Sequence, residues 1–238
     1  MTDAWMPGAT RIWSATDGGP LNGGAPRAVW QTLGADPRAV SAGSAAHRLD
    51  RIGRPCHLVW NPLQGEVVQL VPILRAGRLL GLPEDLGELV PEPRRPADDE
   101  LAQVNTEGRL CVQIGVVAFA WDPFTSWPMS GLQQIQDWLD SWGISRQWPA
   151  GPPLPFPHGL TACGSRRLWA HGGHFGASQV PGLTTAGPGG IDIEQLTGTA
   201  RRPGEAGRQA AAAEVRDVRG LYLGDDQAAA AEPLSRVG

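Results

Sequence analysis

The stretch Leu110–Ala120 (LCVQIGVVAFA) constrains the fold more than any other part of this chain. It carries no charge and is too short to cross a membrane as a helix. A continuous apolar run of this kind suits a central strand covered on both faces, which demands layers above and below a sheet. The surrounding pattern supplies them. Arg27–Thr32 (RAVWQT) reads as a short buried strand, and Cys56–Asn61 with Glu66–Val71 reads as a hairpin turning at Pro62–Gly65. Asp36-Pro37 predicts a helix start, with Asp as the cap and Pro in the first turn, running to about Ile52 before Gly53. Ser130–Trp142 predicts a second helix, because Leu132, Ile135, Trp138, Leu139 and Trp142 share one face. Ser130 and Gln133 have capping-box spacing, and Gly143 stands at the stop. Strand, helix, hairpin, central strand and helix together predict an α/β fold, a mixed central β-sheet flanked by helices.

Three regions follow from composition. Residues 1–25 contain Gly18-Gly19-Pro20 and Gly23-Gly24 and predict an irregular N-terminal arm. Residues 26–197 hold the strand and helix patterns, interrupted by a Pro- and acid-rich surface loop at Pro83–Asp99 and a proline-stiffened connection at Pro149–Pro157. Residues 198–238 are an Ala/Arg-rich extension, with Gln209–Val218 as a candidate helix. A net charge of -4 excludes a general nucleic-acid binder, which needs a basic surface to neutralise phosphates. The first 18 residues have neither a basic start nor an apolar stretch, so no secretory signal and no membrane insertion are expected. Cys56, Cys111 and Cys163 form no CxxC and read as buried free thiols. Trp30, Trp60, Trp138 and Trp169 fall inside elements and read as core. Trp121, Trp127 and Trp148 flank loops, where rings stack on sugars or fill protein interfaces as well as pack.

Four segments, in order, carry a resemblance: VWQT at Val29–Thr32, HLVWNPLQGEVVQLVP at His57–Pro72, NTEGRLCVQIGVVAFA at Asn105–Ala120 and GASQVPGLTTAGPG at Gly176–Gly189. Over roughly residues 25–195 the chain resembles the type-2 N-acetylmuramoyl-L-alanine amidases and peptidoglycan recognition proteins, especially versions from actinobacteria and their phages. The absence of Lys, with abundant Gly, Pro, Ala and Arg, fits GC-rich coding of that kind. The resemblance implies a zinc site of two His and a Cys or Asp. In this sequence those three positions hold Gln31, Ala177 and Gly187. Cys56 stands where many members place a Tyr, Gly115 where an acidic residue is frequent, and Thr185 fits the family's range two residues before the third ligand. His57 matches a His beside the cleft, and His174 a position outside the metal site.

A catalytic zinc needs about three protein ligands and an open position for water. Gln is a poor ligand, and Ala and Gly side chains offer no donor. The expectation is therefore a domain without metal or other cofactor, a pseudoenzyme. It is reused as a structural or assembly protein whose partners are other structural subunits, its own copies or different chains. Terminal arms that order on neighbouring subunits fit that role. A phage-encoded protein of this kind is expected in the virion, as a capsid or tail component, and otherwise in the cytoplasm. The alternative is a non-catalytic peptidoglycan-binding module with Gln31, His57, Thr185 and His174 in its cleft; a further one is an active amidase with unusual ligands. Two other chemistries compete with this reading. His171 and His174 have the spacing of a metal pair on one helix face, but Gly172-Gly173 argues against a helix there. Cys56 beside His57 resembles a nucleophile with its base, but neighbours in a strand point to opposite faces.

Overall fold

The computed structural model describes residues 3–80, 103–162 and 164–199. The chain divides after Thr199 into two units, and every described residue lies in the first. The expectations for Pro83–Asp99, Cys163 and Gln209–Val218 fall outside the described residues.

Six strands form one mixed sheet: β1 (Thr10–Arg11), β2 (Arg27–Thr32), β3 (Leu58–Asn61), β4 (Glu66–Gln69), β5 (Cys111–Val116) and β6 (Gly173–Gly176). Their order is β1-β4-β3-β5-β2-β6. All neighbouring pairs are parallel except the β3/β4 hairpin. The apolar run supplies β5, which is buried at every position between β3 and β2. Alternation then separates the two faces. Trp30, Trp60, Val112 and Ile114 join Ile135, Trp138 and Leu139 of the helix α2 (Leu132–Ser141) in one cluster. Leu33, Val59, Val68 and Leu70 pack on Ala42, Ala45, Ala46 and Leu49 of the helix α1 (Ala42–Arg51) on the other. A third cluster joins Val29, Cys111, Phe175 and Ala177 to Trp169, which ends the short helix α3 (Arg166–Trp169).

Both predicted helix starts move. Asp36 makes its own turn, its carbonyl accepting from Ala39 N and Val40 N, and α1 begins later with Ser41 as cap. Ser41 Oγ accepts from Ser44 N at 3.0 Å, and the Glu66 carboxylate reaches across from β4 to accept from Ala42 N (2.7 Å) and Gly43 N (3.1 Å). Two free N–H groups at the helix start are thus satisfied by a distant strand, which also places negative charge at the positive end of the helix dipole. The Ser130–Gln133 box does not form. Gly131, left-handed at φ 85°, caps α2 without a side-chain bond, and the Ser130 carbonyl instead accepts the Trp60 indole N–H at 2.8 Å. Gly53 and Gly143 stand at the helix ends in left-handed conformation.

Residues 3–25 are irregular apart from β1, and they lie on this domain's own sheet. Met6 N donates to Gln69 Oε1 (2.6 Å), and Gln69 Nε2 donates to Ala4 O (3.1 Å). Trp5 and Met6 are buried by this arrangement.

Candidate functional site

The positions singled out as former metal ligands converge at the C-terminal ends of β2 and β6. Trp30 pairs with Gly176 at the end of β6, and the 3-10 turn Ala177–Gln179 that follows packs on β2, the strand that carries Gln31. Gly187 is tied to the same place: Ser178 N donates to Gly187 O at 2.8 Å, and a Cβ on Gly176 would lie 2.5 Å from Pro188 Cδ. Thr185 is buried beneath, its Oγ1 accepting from Gly187 N at 3.3 Å.

Gln31, Ala177 and Gly187 are all buried. Ala177 contributes its methyl group to the cluster of Val29, Phe175, Val180 and Leu183. On β5, Gly115 lies opposite Gln31, and Leu33 covers it, with its Cδ2 atom 3.1 Å from where a Cβ would be. Gln31 Oε1 and Ser178 Oγ are both buried without a hydrogen-bond partner. A zinc ion does not fit this donor set. One carboxamide oxygen is the only side-chain donor among the three positions, and zinc takes His, Cys or carboxylate ligands. Among the described residues, no three His, Cys, Asp or Glu side chains gather elsewhere in a metal-binding group.

The two remaining histidines of interest stand on opposite faces. His57 is fully buried and has both ring nitrogens occupied. Nδ1 accepts from Gln113 N at 3.0 Å, so Nε2 carries the proton and donates to Arg75 O at 2.8 Å. Burial pushes its pKa down to about 4, against a smaller upward pull from the Arg75 carbonyl. The ring extends the backbone ladder and has no lone pair left for a metal or a substrate proton.

His174 follows Gly173 in β6, not a helix, so it does not share a helix face with the exposed His171. Alternation along β2 and β6 turns it to the face of Trp30, away from Gln31. Its Nδ1 accepts the Trp30 indole N–H at 3.0 Å, which sets the two rings nearly coplanar and edge to edge, the Trp148 ring centre lies 6.0 Å from its own, and Nε2 is buried without a partner. Burial again lowers the pKa to about 4, with Asp140 pulling up and Arg146 down. Cys56 is buried, donates to Leu58 O at 3.1 Å, and burial pushes its thiol up to about 12. A thiol of that kind holds almost no thiolate at neutral pH, so it is no nucleophile.

Beside these positions lies a feature that is only partly legible in the sequence. Phe119 and Trp121, just beyond β5, stack at 4.4 Å between centroids, and Phe156 meets Trp121 edge-on at 5.8 Å. Trp121 is nevertheless 60% exposed and Phe156 42%. Gly189 brings the two regions together, since a Cβ there would lie 2.0 Å from Ala120 O. Trp121 is legible from its loop position; Phe156, inside the proline-rich connection, gives no signal of its own. Trp127 and Trp148 pack against the core instead, and Trp148 Nε1 donates to Gln179 Oε1 at 2.7 Å. A shallow cavity of about 530 Å³, lined by Arg146, Trp148, Ile193, Glu194 and Thr197 among others, includes Trp148 but none of Gln31, Cys56, His57, His174, Ala177, Thr185 or Gly187.

No family model matches the chain, and no curated protein matches it. Among solved structures it is similar to the endolysin N-acetylmuramoyl-L-alanine amidase LysCS from Clostridium intestinale URNW, at 12% identity and a TM-score of 0.46, covering 82% of this chain and 97% of that one. It is similar to the hydrolase AmiA of Staphylococcus aureus at the same identity and TM-score, over 80% of each chain. It is also similar to AmpD, at 15% identity and a TM-score of 0.33, over 59% of this chain and 76% of that one.

Proposed function

We propose that this chain carries a non-hydrolytic amidase-like domain reused as a structural or assembly protein, specifically in the virion of an actinophage. One observation carries the reading: the three positions that converge at the ends of β2 and β6 present a carboxamide, a methyl group and a hydrogen. Hydrolysis of an unactivated amide at neutral pH needs a strong nucleophile and a means of stabilising the developing oxyanion. Gln31, Ala177 and Gly187 supply neither. The nearby candidates are committed elsewhere, His57 to two backbone groups and Cys56 to burial as a neutral thiol.

An assembly role draws support from the exposed aromatic group beside this position. Trp121 is held by Phe119 and Phe156 and leaves most of its surface to solvent. Rings fixed in this way make good interface anchors, because little side-chain entropy remains to be lost on docking. Such a protein belongs in the particle if phage-encoded and in the cytoplasm otherwise.

The test has two parts. Dialysed protein is assayed for zinc and for release of stem peptides from purified peptidoglycan; stoichiometric zinc with peptide release would restore the active-amidase reading. Light scattering after gel filtration, and mass spectrometry of the native particle, then look for association. A strictly monomeric protein absent from particles sinks the assembly role. The second reading, a wall-binding module without hydrolysis, is favoured by the same Trp121 ring, which has the flat apolar face that sugars stack on. Retention on peptidoglycan that Trp121→Ala abolishes would select it.

A further inference from the structure

Four of the six large apolar side chains exposed among the described residues belong to two segments in contact. They are Trp121 (60% exposed) just beyond β5, and Leu154 (47%), Phe156 (42%) and Leu160 (46%) in and after the proline-rich connection. Pro152, Pro155 and Pro157 are exposed between them. The two segments are locked together through Trp121 and Phe156, and the connection is pinned to residues 186–190. A Cβ on Gly159 would fall 2.7 Å from Ala186 O, and one on Gly190 3.3 Å from Pro155 Cγ. The face is therefore rigid before anything docks on it, and docking orders little that is still free.

Its charge says what covers it. Residues 110–121 and 149–162 contain no Asp, Glu, Lys or Arg, and Asp122 is the first acid beyond them. An anionic membrane surface attracts Lys and Arg, which this face lacks. A sugar chain brings hydroxyls that need partners, and His158 and Thr161 are the polar side chains among Leu154–Thr161. A basic partner chosen by a chain of net charge -4 would meet acids here, and it does not. A second copy fits. In a two-fold contact each group faces its own kind of surface, so a patch without charge meets no like charge. The patch also holds both halves of a known pairing, an exposed aromatic ring and a run of prolines.

We infer that two copies of this chain pair through this face about a two-fold axis, each Trp121 seated on the other copy's proline-rich connection. This rests on reading the chain as an assembly protein, and it names the first partner. The exposed side chains amount to several hundred Å², short of the roughly 800 Å² per partner of a standard interface. The pair is accordingly weak and concentration-dependent.

Trp13 (73% exposed) supplies a control. β1 is parallel to β4, β4 antiparallel to β3, and β3 parallel to β5, so Trp13 and Trp121 leave the sheet at opposite ends. Sedimentation velocity of the full chain from about 1 to about 300 µM should show a dimer with a micromolar dissociation constant. A two-fold contact contains the ring twice. Trp121→Ala should thus weaken the variant pair about hundredfold or more, and the mixed pair of native and variant chains about tenfold or more. Leu154→Asp leaves the Trp121 stack in place and should weaken pairing about tenfold by setting a buried charge in the contact. Trp13→Ala should change nothing. A native chain that stays monomeric, a dimer indifferent to both Trp121→Ala and Leu154→Asp, or a mixed pair as tight as the native one overturns the inference. A monomer found in particles with other subunits overturns the pairing and leaves the assembly role intact. A monomer held on peptidoglycan through Trp121 overturns both.

Discussion

Two buried polar regions lie a strand apart in this sheet, and they are built to different standards. Around β3 and β5, His57, Gln113 and Asn105 form a bonded network. Gln113 Oε1 accepts from Leu79 N (2.8 Å), Gln113 Nε2 donates to Asn105 Oδ1 (2.7 Å), and His57 spends both nitrogens on backbone groups. Around β2 and β6, Gln31 Oε1, Ser178 Oγ and His174 Nε2 are buried with no partner. Gln113 and Gln31 are the same residue type, on neighbouring strands and the same face, yet Gln113 Oε1 ties Leu79 to the sheet and Gln31 Oε1 is left unpaired. The difference separates polar groups that tie segments of the fold together from polar groups that the fold leaves unpaired.

The largest expected effect is acid sensitivity, and it tests whether both regions are dry. Burial lowers both His57 and His174 to about 4, from an ordinary value of 6.5. Between those values the unfolded chain binds a proton that the folded chain refuses. Stability is therefore fully present above pH 6.5 and is lost as pH falls towards 4, by about 3 kcal/mol for each histidine. Urea unfolding across that range should show a slope approaching two protons. Histidine NMR separates the two rings. A His174 that titrates near its ordinary value would break the comparison, since it would mean water reaches Nε2.

Next in size is Gln113→Leu. The change keeps the volume but leaves Leu79 N–H and Asn105 Oδ1 without the partner each has now, and we expect a loss of about 3 kcal/mol in urea unfolding. Gln31→Met runs the other way. It removes an orphan acceptor and adds apolar contact beside Ala177 and Val29, for an expected gain of about 1 kcal/mol. Opposite signs for the two glutamines would sharpen the contrast. A Gln31→Met variant as damaged as Gln113→Leu would abolish it.

How much of this could be read from the residues depends on the range of the interactions. The strand Arg27–Thr32 matches its predicted bounds, and β5 lies inside the predicted run, because both are set by local runs of apolar residues. The start of α1 was not legible. Beside the Ser41 cap, its first two N–H groups go to Glu66 on β4, and no local rule anticipates a carboxylate delivered by a hairpin. The Ser130 cap is not formed either: α2 starts from Gly131, and the Ser130 backbone bonds across to Pro62 O and the Trp60 indole. At the candidate site, the motif order identified Gln31, Ala177 and Gly187 without showing that they meet. That depends on the β2/β6 register and the Ser178–Gly187 bond. His174 was grouped with Gln31 on sequence alone, and only strand alternation puts it on the other face.

Ser178→Ala is the smallest effect and the finest discriminator. The hydroxyl is buried and makes no bond, while the backbone N–H of the same residue holds Gly187 O. Removing the oxygen leaves that backbone bond untouched and relieves an unpaired polar atom, so the variant should gain no more than about 0.5 kcal/mol or be neutral. The sign carries the argument. If Ser178→Ala costs more than about 1 kcal/mol, the hydroxyl has a partner, and a water bridging it to Gln31 Oε1 is the natural one. Combining the change with Gln31→Met would then give a non-additive cycle. Strict additivity would instead mean that the two polar atoms do not interact, directly or through water.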